Sequence, residues 1–253
     1  MKAMILAAGL GTRLRPLTDT RPKALVELSG RTLLEITLTR LRTFGVTEVI
    51  INVHHFADMV TDYLKSNKNF GLRIEISREE VLLDTGGGLK KAAWFFLEDP
   101  KNLDEPFLLH NVDVISNIDL RAMLQFHNAN QALATLAVQS RKTSRYLLFD
   151  NHDQLRGRRI DNKNTVISSE ARNPSSIPLH ALAFSGIHIL SPRLLPLLAE
   201  EGIFSIVPSY LRLAAQDQKI LAFRADNYHW RDLGRPADLA QAAEDMKKGA
   251  LKQ

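Results

Sequence analysis

Four side chains carry the chemistry this sequence is equipped for: Arg13, Lys23, Asp113 and Asp232. Fixed cations hold phosphate, and a carboxylate presented at a strand end can hold Mg2+. The cations belong to the run AMILAAGLGTRLRPLTDTRPKAL at residues 3–25, an apolar strand that enters a glycine-punctuated loop holding Arg13, Arg15, Arg21 and Lys23. Gly9 and Gly11 remove side chains where backbone N–H groups must approach an anion, and Thr12 adds a hydroxyl donor. Pro16 and Pro22 stiffen the return path, so Lys23 comes back toward the loop with little loss of chain entropy. The pattern is that of a phosphate cradle.

Two familiar cradles do not fit it. A Walker A loop ends in Gly-Lys-Ser/Thr, whereas Gly11 is followed by Thr12 and Arg13, with the lysine only at 23. A dinucleotide fingerprint needs a third glycine where this chain has Leu14.

Three further segments bear polar groups at useful places. In LLDTGGGLKKA (82–92) a glycine triplet opens a predicted helix whose free N–H groups and dipole favour anionic or polar ligand atoms, a plain helix start being the alternative. FLLHNVDV (107–114) reads as a strand whose end presents Asn111 and Asp113 toward the same edge as the loop. There Asp113 is either a Mg2+ ligand or the cap of the following helix. HWRDLGRP (229–236) supplies Asp232, which taken alone reads as a turn entering a helix at Pro236.

The elements that must position these groups follow from periodicity. Apolar runs at 3–7, 48–53, 72–76 and 106–110 read as strands alternating with helical segments, which predicts a parallel sheet with ligands at the strands' carboxyl ends. Leu34, Leu38 and Leu41 form one helix stripe closed by Gly45, and Phe56, Val60 and Leu64 form another. A third helix is expected from the glycines at 86–88 through Trp94 and Leu97 to a stop at Pro100. From about 132 the texture changes to strand, strand and turn. Residues 156–178 then read as a polar functional loop, LAFSGIHIL restores a strand, Pro192 and Pro208 lie near helix starts, and ADLAQAAEDMKK is a terminal helix.

Composition narrows the function classes. The 253 residues, 45% of them apolar, suffice for a large α/β core, and the absence of cysteine excludes disulfides and thiolate metal sites. The apolar run before Gly9 is too short for a signal-peptide core and no run reaches membrane-spanning length, so a cytoplasmic protein without a membrane partner is expected. A net charge of +5 suits phosphorylated ligands. Nucleic acid is not an expected partner, because the basic stretches at 156–159 and 247–252 are short and lack interleaved aromatics. Oligomeric state is not legible in the sequence, and a homo-oligomer stays open.

The run GxGTRLxPLT followed by PK resembles the signature of the sugar-1-phosphate nucleotidyltransferases. The likeness extends from residue 1 to about 245 through VIIN before His54, DTGGG, FLLxNxDV, LAFSGIHILSP and WxDxG. It implies an α/β fold, a Rossmann-like mixed and mainly parallel sheet flanked by helices in the GT-A-like arrangement, formed as one domain over 1–253 with a sugar-side hairpin and loop region around 132–190. It implies catalytic roles for Arg13 and Lys23, and nucleotide contacts from Ala7, Ala8, Gly9, Gly11, Thr12 and Gly86. Glu80, Asn111 and Gly186 fall on the sugar side, with Glu79 and His188 as further candidates, and Asp113 and Asp232 hold the Mg2+ cofactor. His54 and His55 are read either as cleft-lining or as structural.

The implied partners are a nucleoside triphosphate and a sugar 1-phosphate. Uridylyl transfer to an N-acetylmuramate-like sugar is the first expectation, guanylyl transfer to mannose or heptose 1-phosphate the second, and cytidylyl transfer to phosphocholine stands behind both. A catalytically silent subunit that senses nucleotide sugars is the alternative outside the enzymes. Such proteins tend to lose the loop arginine or the metal aspartates, and Arg13, Lys23, Asp113 and Asp232 are all present here. The chain departs from the family pattern at Val112, where NGD becomes NVD, at Arg235 in place of threonine, and in lacking a clear EKP lysine, for which Arg172 is the candidate substitute.

The implied chemistry is attack of a sugar 1-phosphate oxygen on the α-phosphorus of the triphosphate with release of pyrophosphate. The nucleophile is already ionised at neutral pH, so the task is to align two polyanions that repel each other.

Overall fold

The computed structural model describes residues 1–98, 104–160 and 178–249, together with the backbone of 163–166. Its centre is a mixed sheet flanked by helices. Strands β1 (Lys2–Leu6), β4 (Glu48–Val53), β5 (Arg73–Arg78) and β6 (Phe107–Asn111) run parallel in the order β5-β4-β1-β6, after a short hairpin of β2 (Glu27–Leu28) and β3 (Arg31–Thr32). Three of the four lie within a residue or two of the apolar runs that announce them, and β4 coincides with its run.

Alternation along these strands sorts the core into two layers. Ala3, Ile5, Val49 and Ile51 face α1 (Leu33–Phe44), α2 (Ala57–Ser66) and α7 (Pro236–Lys247), while Met4 and Ile50 face the opposite layer. That second layer is built by α3 (Asp84–Lys91), α4 (Ala93–Leu97) and α6 (Ile206–Ala215), with α5 (Leu120–Asn130) joining the first. The α1 stripe Leu34, Leu38 and Leu41 is buried, Thr32 caps its start by accepting the Glu35 N–H at 3.1 Å, and Gly45 ends it at φ 103°. In α2, Val60 and Leu64 are buried whereas Phe56 stands outside the helix at φ 57°.

The other half of the sheet is antiparallel around the long strand β12 (His180–Leu190). Its second half pairs with β6, with His110 opposite Ile187, and its first half pairs with β9 (Arg145–Phe149). Strand β8 (Ala134–Gln139) runs along β12's other edge, with β13 (Ile220–Arg224) parallel to it. Beyond β9 lie β10 (Leu155–Ile160) and β11 (Lys163–Val166), paired antiparallel. The expected loop at 156–178 therefore begins as a hairpin, held by neighbours that periodicity within the segment does not reveal. Arg172 and the expected stop at Pro100 lie outside the described residues.

The third helix also differs from expectation. It starts at Asp84, so the glycines sit inside its first turns, and it breaks at Ala92 between α3 and α4. A separate two-stranded sheet joins β7 (Val114–Ser116) to β14 (Trp230–Asp232), antiparallel, with Asp232 opposite Val114. This small sheet decides the site.

Candidate functional site

A cavity of about 420 Å3 opens at the carboxyl ends of β1, β4 and β6. It is lined by Leu6, Ala7, Ala8, Gly9, Gly11, Thr12, Arg13 and Lys23 from the first strand and loop, by Asn111, Val112, Asp113 and Gly234, and by Asn52, Leu82, Asp84, Thr85 and Ile203. The order β5-β4-β1-β6 sets three strand spacings, roughly 14 Å, between the residues after β6 and those after β5.

Local packing shapes the first loop. Gly11 adopts φ 65°, where a Cβ would come within 2.8 Å of Thr18 and 3.2 Å of Lys23. Its carbonyl accepts both the Leu14 N–H at 2.8 Å and the Thr18 hydroxyl at 2.9 Å, which folds the loop over the buried Leu14. Pro22 leads into a 3-10 turn that buries Lys23 and aims its ammonium at Asp113, with which it pairs. Of the four loop cations only Arg13 and Lys23 reach the cavity. Arg15 pairs with Asp19 and Arg21 with Glu27, away from it.

The two aspartates meet through backbone. Leu233 donates its N–H to the Asp113 carbonyl at 2.8 Å, continuing the β7–β14 pairing. Asp113 does not cap a helix, since Asp119 does so for α5 by accepting the N–H groups of Arg121 and Ala122. Asp232 does shape a turn, accepting the Gly234 N–H at 2.7 Å. A Cβ on Gly234 would fall 2.6 Å from an Arg13 Nη and would also overlap the Asp232 carboxylate, so this glycine lets the loop arginine and the distant carboxylate converge. Burial, then the like charge of Asp113, push the Asp232 pKa up, opposed by Lys23, the Gly234 N–H and Arg13.

The glycine triplet serves packing. The N–H groups of Gly86 and Gly87 both donate to the Phe204 carbonyl, at 2.9 and 3.1 Å, so they are not free for a ligand as expected. A Cβ on Gly86 would overlap the Phe204 ring, and one on Gly87 the Gly202 carbonyl. With the Phe204 N–H on Leu83 and the Ile206 N–H on the Thr85 hydroxyl, segment 202–206 is strapped across the start of α3 and holds Ile203, 65% exposed, at the cavity. Gly86 itself is buried and off the lining.

Asn52 is a residue the expectations missed. Its Oδ1 takes the Ala7 N–H at 2.8 Å and its Nδ2 donates to Glu79, whose other oxygen takes the Leu83 N–H at 2.9 Å. This relay ties the first loop to α3, and the polar residue ending the apolar run VIIN is the signal that marks it. Glu79 is therefore internal, and Glu80 is exposed and off the cavity lining. On the sugar side, Gly186 takes φ 71° in an irregular stretch of β12, and a Cβ there would lie 2.7 Å from Asn111 Nδ2. His188 is buried against the Tyr210 hydroxyl at 2.8 Å and so is not a sugar-facing group. His54 bonds the Glu79 carbonyl at 2.9 Å, and His55 is exposed beside Phe56.

Arg13, Lys23 and Asp113 thus line one cavity, with Asp232 meeting Arg13 at Gly234. The chain belongs to the nucleotidyl transferase family, whose sequence profile matches residues 2–249. It is 34% identical over 95% of both chains to the N-acetylmuramate alpha-1-phosphate uridylyltransferase of Caulobacter vibrioides. It is 31% identical to the mannose-1-phosphate guanyltransferase of Candida albicans over 94% of this chain, which spans 62% of that longer protein. Among solved structures it shares the fold of HddC from Yersinia pseudotuberculosis complexed with GMP-PN, at TM-score 0.72 and 20% identity over 97% of this chain and 99% of that one. A UDP-glucose pyrophosphorylase complexed with UDP-glucose matches at TM-score 0.75 and 19% identity, over 98% of each chain. The protein is a sugar-1-phosphate nucleotidyltransferase. Among the described residues no helix is long and apolar enough to cross a membrane.

Proposed function

We propose that the protein transfers a uridylyl group from UTP to an N-acetylmuramate-like sugar 1-phosphate, in the cytoplasm and for cell-wall synthesis. The choice of base and sugar is supported by the Caulobacter relative, which this chain matches over nearly its full length. The triphosphate lies along the first loop, its phosphates toward Arg13 and Lys23 and its base toward Leu82, Thr85 and Ile203. The sugar sits against Asn111 and Gly186.

The donor set fits a divalent ion. Asp113 and Asp232 are near enough for one to raise the pKa of the other, a repulsion that a cation relieves. Two carboxylates leave the remaining positions of an octahedral Mg2+ ion to water and phosphate oxygens, the ligands that ion keeps. Asp113 and Asp232 would hold it, and when bound it supplies charge neutralisation between the reacting phosphates.

Arg13 receives the negative charge that grows on pyrophosphate as the bond from the α-phosphorus to the leaving oxygen breaks. Lys23, held by Asp113, steadies the phosphates while the sugar phosphate oxygen forms its new bond to that phosphorus. No proton need be removed from the nucleophile. The convergence of Arg13 and Asp232 over Gly234 carries this reading, since it brings the phosphate cation and a metal carboxylate to one point.

Pyrophosphate release, measured for five nucleoside triphosphates against a panel of sugar 1-phosphates, tests it. UTP with N-acetylmuramate 1-phosphate is expected to give the highest kcat/KM. A preference for GTP with mannose 1-phosphate would instead establish the guanylyl alternative, which the Candida relative favours.

A further inference from the structure

Two arginines on the antiparallel side of the sheet have no role in the scheme above. Arg141, just after β8, lies with its guanidinium 3.8 Å from the centroid of the Trp230 ring and donates to the Phe184 carbonyl at 2.6 Å. The Trp230 indole N–H donates in turn to the Ser185 carbonyl at 2.7 Å. Both anchors fall on the two residues immediately before Gly186, the glycine that lets Asn111 stand in the cavity. Trp230 and Asp232 point to one face of β14, and Arg141 is close enough for the Asp232 carboxylate to oppose the lowering of its pKa by burial.

The second arginine extends the same surface. Arg159 on β10 pairs with Tyr146 on β9, which pairs with Ala183 on β12, and the Arg159 guanidinium lies 4.6 Å from the Tyr146 ring centroid. Tyr146 also bears electrostatically on Arg141. Neither forms an ion pair among the described residues, and the Nε of each is buried without a hydrogen-bond partner among them. A guanidinium braced on an aromatic face is pre-organised to meet a planar carboxylate in two places at once.

We infer that Arg141 and Arg159 bind a carboxylate on the sugar, so that the enzyme selects an acidic sugar 1-phosphate over its neutral counterpart. The inference rests on the sugar 1-phosphate reading and adds to it the group that is read and the residues that read it. With the 1-phosphate at the Asp113–Asp232 end and the ring against Asn111 and Gly186, a carboxylate borne by the ring reaches Arg141 first, with Arg159 behind it.

The test compares kcat/KM for N-acetylmuramate 1-phosphate, which bears a carboxylate, with that for N-acetylglucosamine 1-phosphate, which lacks it. The wild-type enzyme is expected to favour the acidic sugar by about tenfold or more. Arg141→Gln is expected to collapse that ratio to near one, Arg159→Gln to lower it less, and Arg141→Lys to restore part of it, since lysine keeps the charge and loses the fork. The ratio is internal to each preparation, so partial misfolding of a variant does not mimic the result. A wild-type preference for the neutral sugar overturns the inference alone, as does an acidic preference that survives both glutamine variants. Turnover of no sugar 1-phosphate with any triphosphate would overturn the reading on which it rests.

Discussion

The backbone N–H of Leu233 reaches the carbonyl of Asp113 at 2.8 Å, and this bond joins the backbone segments that carry Asp113 and Asp232, 119 positions apart in the sequence. Asp113 immediately precedes β7 and Asp232 ends β14, so the strand pairing brings their backbones together. The cost of that approach falls on Asp232.

Burial and the neighbouring Asp113 raise the pKa of Asp232, so its ionised form opposes folding in the absence of a cation. A raised carboxyl pKa lowers stability as pH climbs through the unfolded value toward the folded one, and the penalty persists at neutral pH. Asp232→Asn is therefore expected to raise Tm in metal-free buffer while greatly reducing Mg2+-dependent turnover. Added Mg2+ should raise Tm of the wild-type protein and change that of the variant little. A variant that is less stable without metal, or fully active with it, would contradict the proposed ligand role.

Arg13 is exposed and held at the cavity by the missing side chain of Gly234. Arg13→Ala is expected to lower kcat by about a hundredfold, on the order of 3 kcal/mol in the barrier, with little change in urea stability. Stopped assays of pyrophosphate release at saturating substrates read this directly. Wild-type kcat in the variant would remove Arg13 from the reaction.

The parts of this site that were legible in the sequence are those where one residue type has one use. Gly11 next to Thr12 and Arg13, and Asn111 two residues before Asp113, announce a turn and a strand end whatever surrounds them. The glycine triplet departs from its sequence pattern for a physical reason: a helix start offers free N–H groups only if nothing else takes them, and Phe204, far away in sequence, takes those of Gly86 and Gly87. His188 has the polarity of a ligand group, but the register of β12 against β8 buries it. Arg141 carries no local pattern at all, and its neighbours come from β12 and β14.

The strap over α3 gives the triplet a testable consequence. A methyl group at Gly87 would run into the Gly202 carbonyl, a backbone atom that cannot rotate aside. Gly87→Ala is expected to cost about 1–3 kcal/mol of stability and to displace Ile203 from the cavity wall. Urea unfolding reads the first effect, and a several-fold rise in KM for the triphosphate, with KM for the sugar phosphate nearly unchanged, reads the second. Equal rises in both constants would show that Ile203 does not face the nucleotide.

Three buried histidines contribute to the loss of stability in acid. Burial holds the pKa of His110 and His188 down at about 3 and that of His127 at about 4, with Arg40, His110 and Arg193 respectively adding to the effect. Each is neutral when folded and takes a proton near pH 6.5 once unfolded. Their stabilisation is complete above pH 6.5 and is lost as pH falls from there toward 4, because the unfolded chain then binds up to three more protons. The slope approaches about 1.4 kcal/mol per pH unit for each histidine, or about 4 kcal/mol for the three together. Urea titrations at half-unit steps from pH 7 to 5 measure it, and His188→Gln, whatever it does to absolute stability, should reduce the slope by about a third. A stability that stays flat between pH 7 and 5 would mean that these side chains are hydrated or paired in the folded protein.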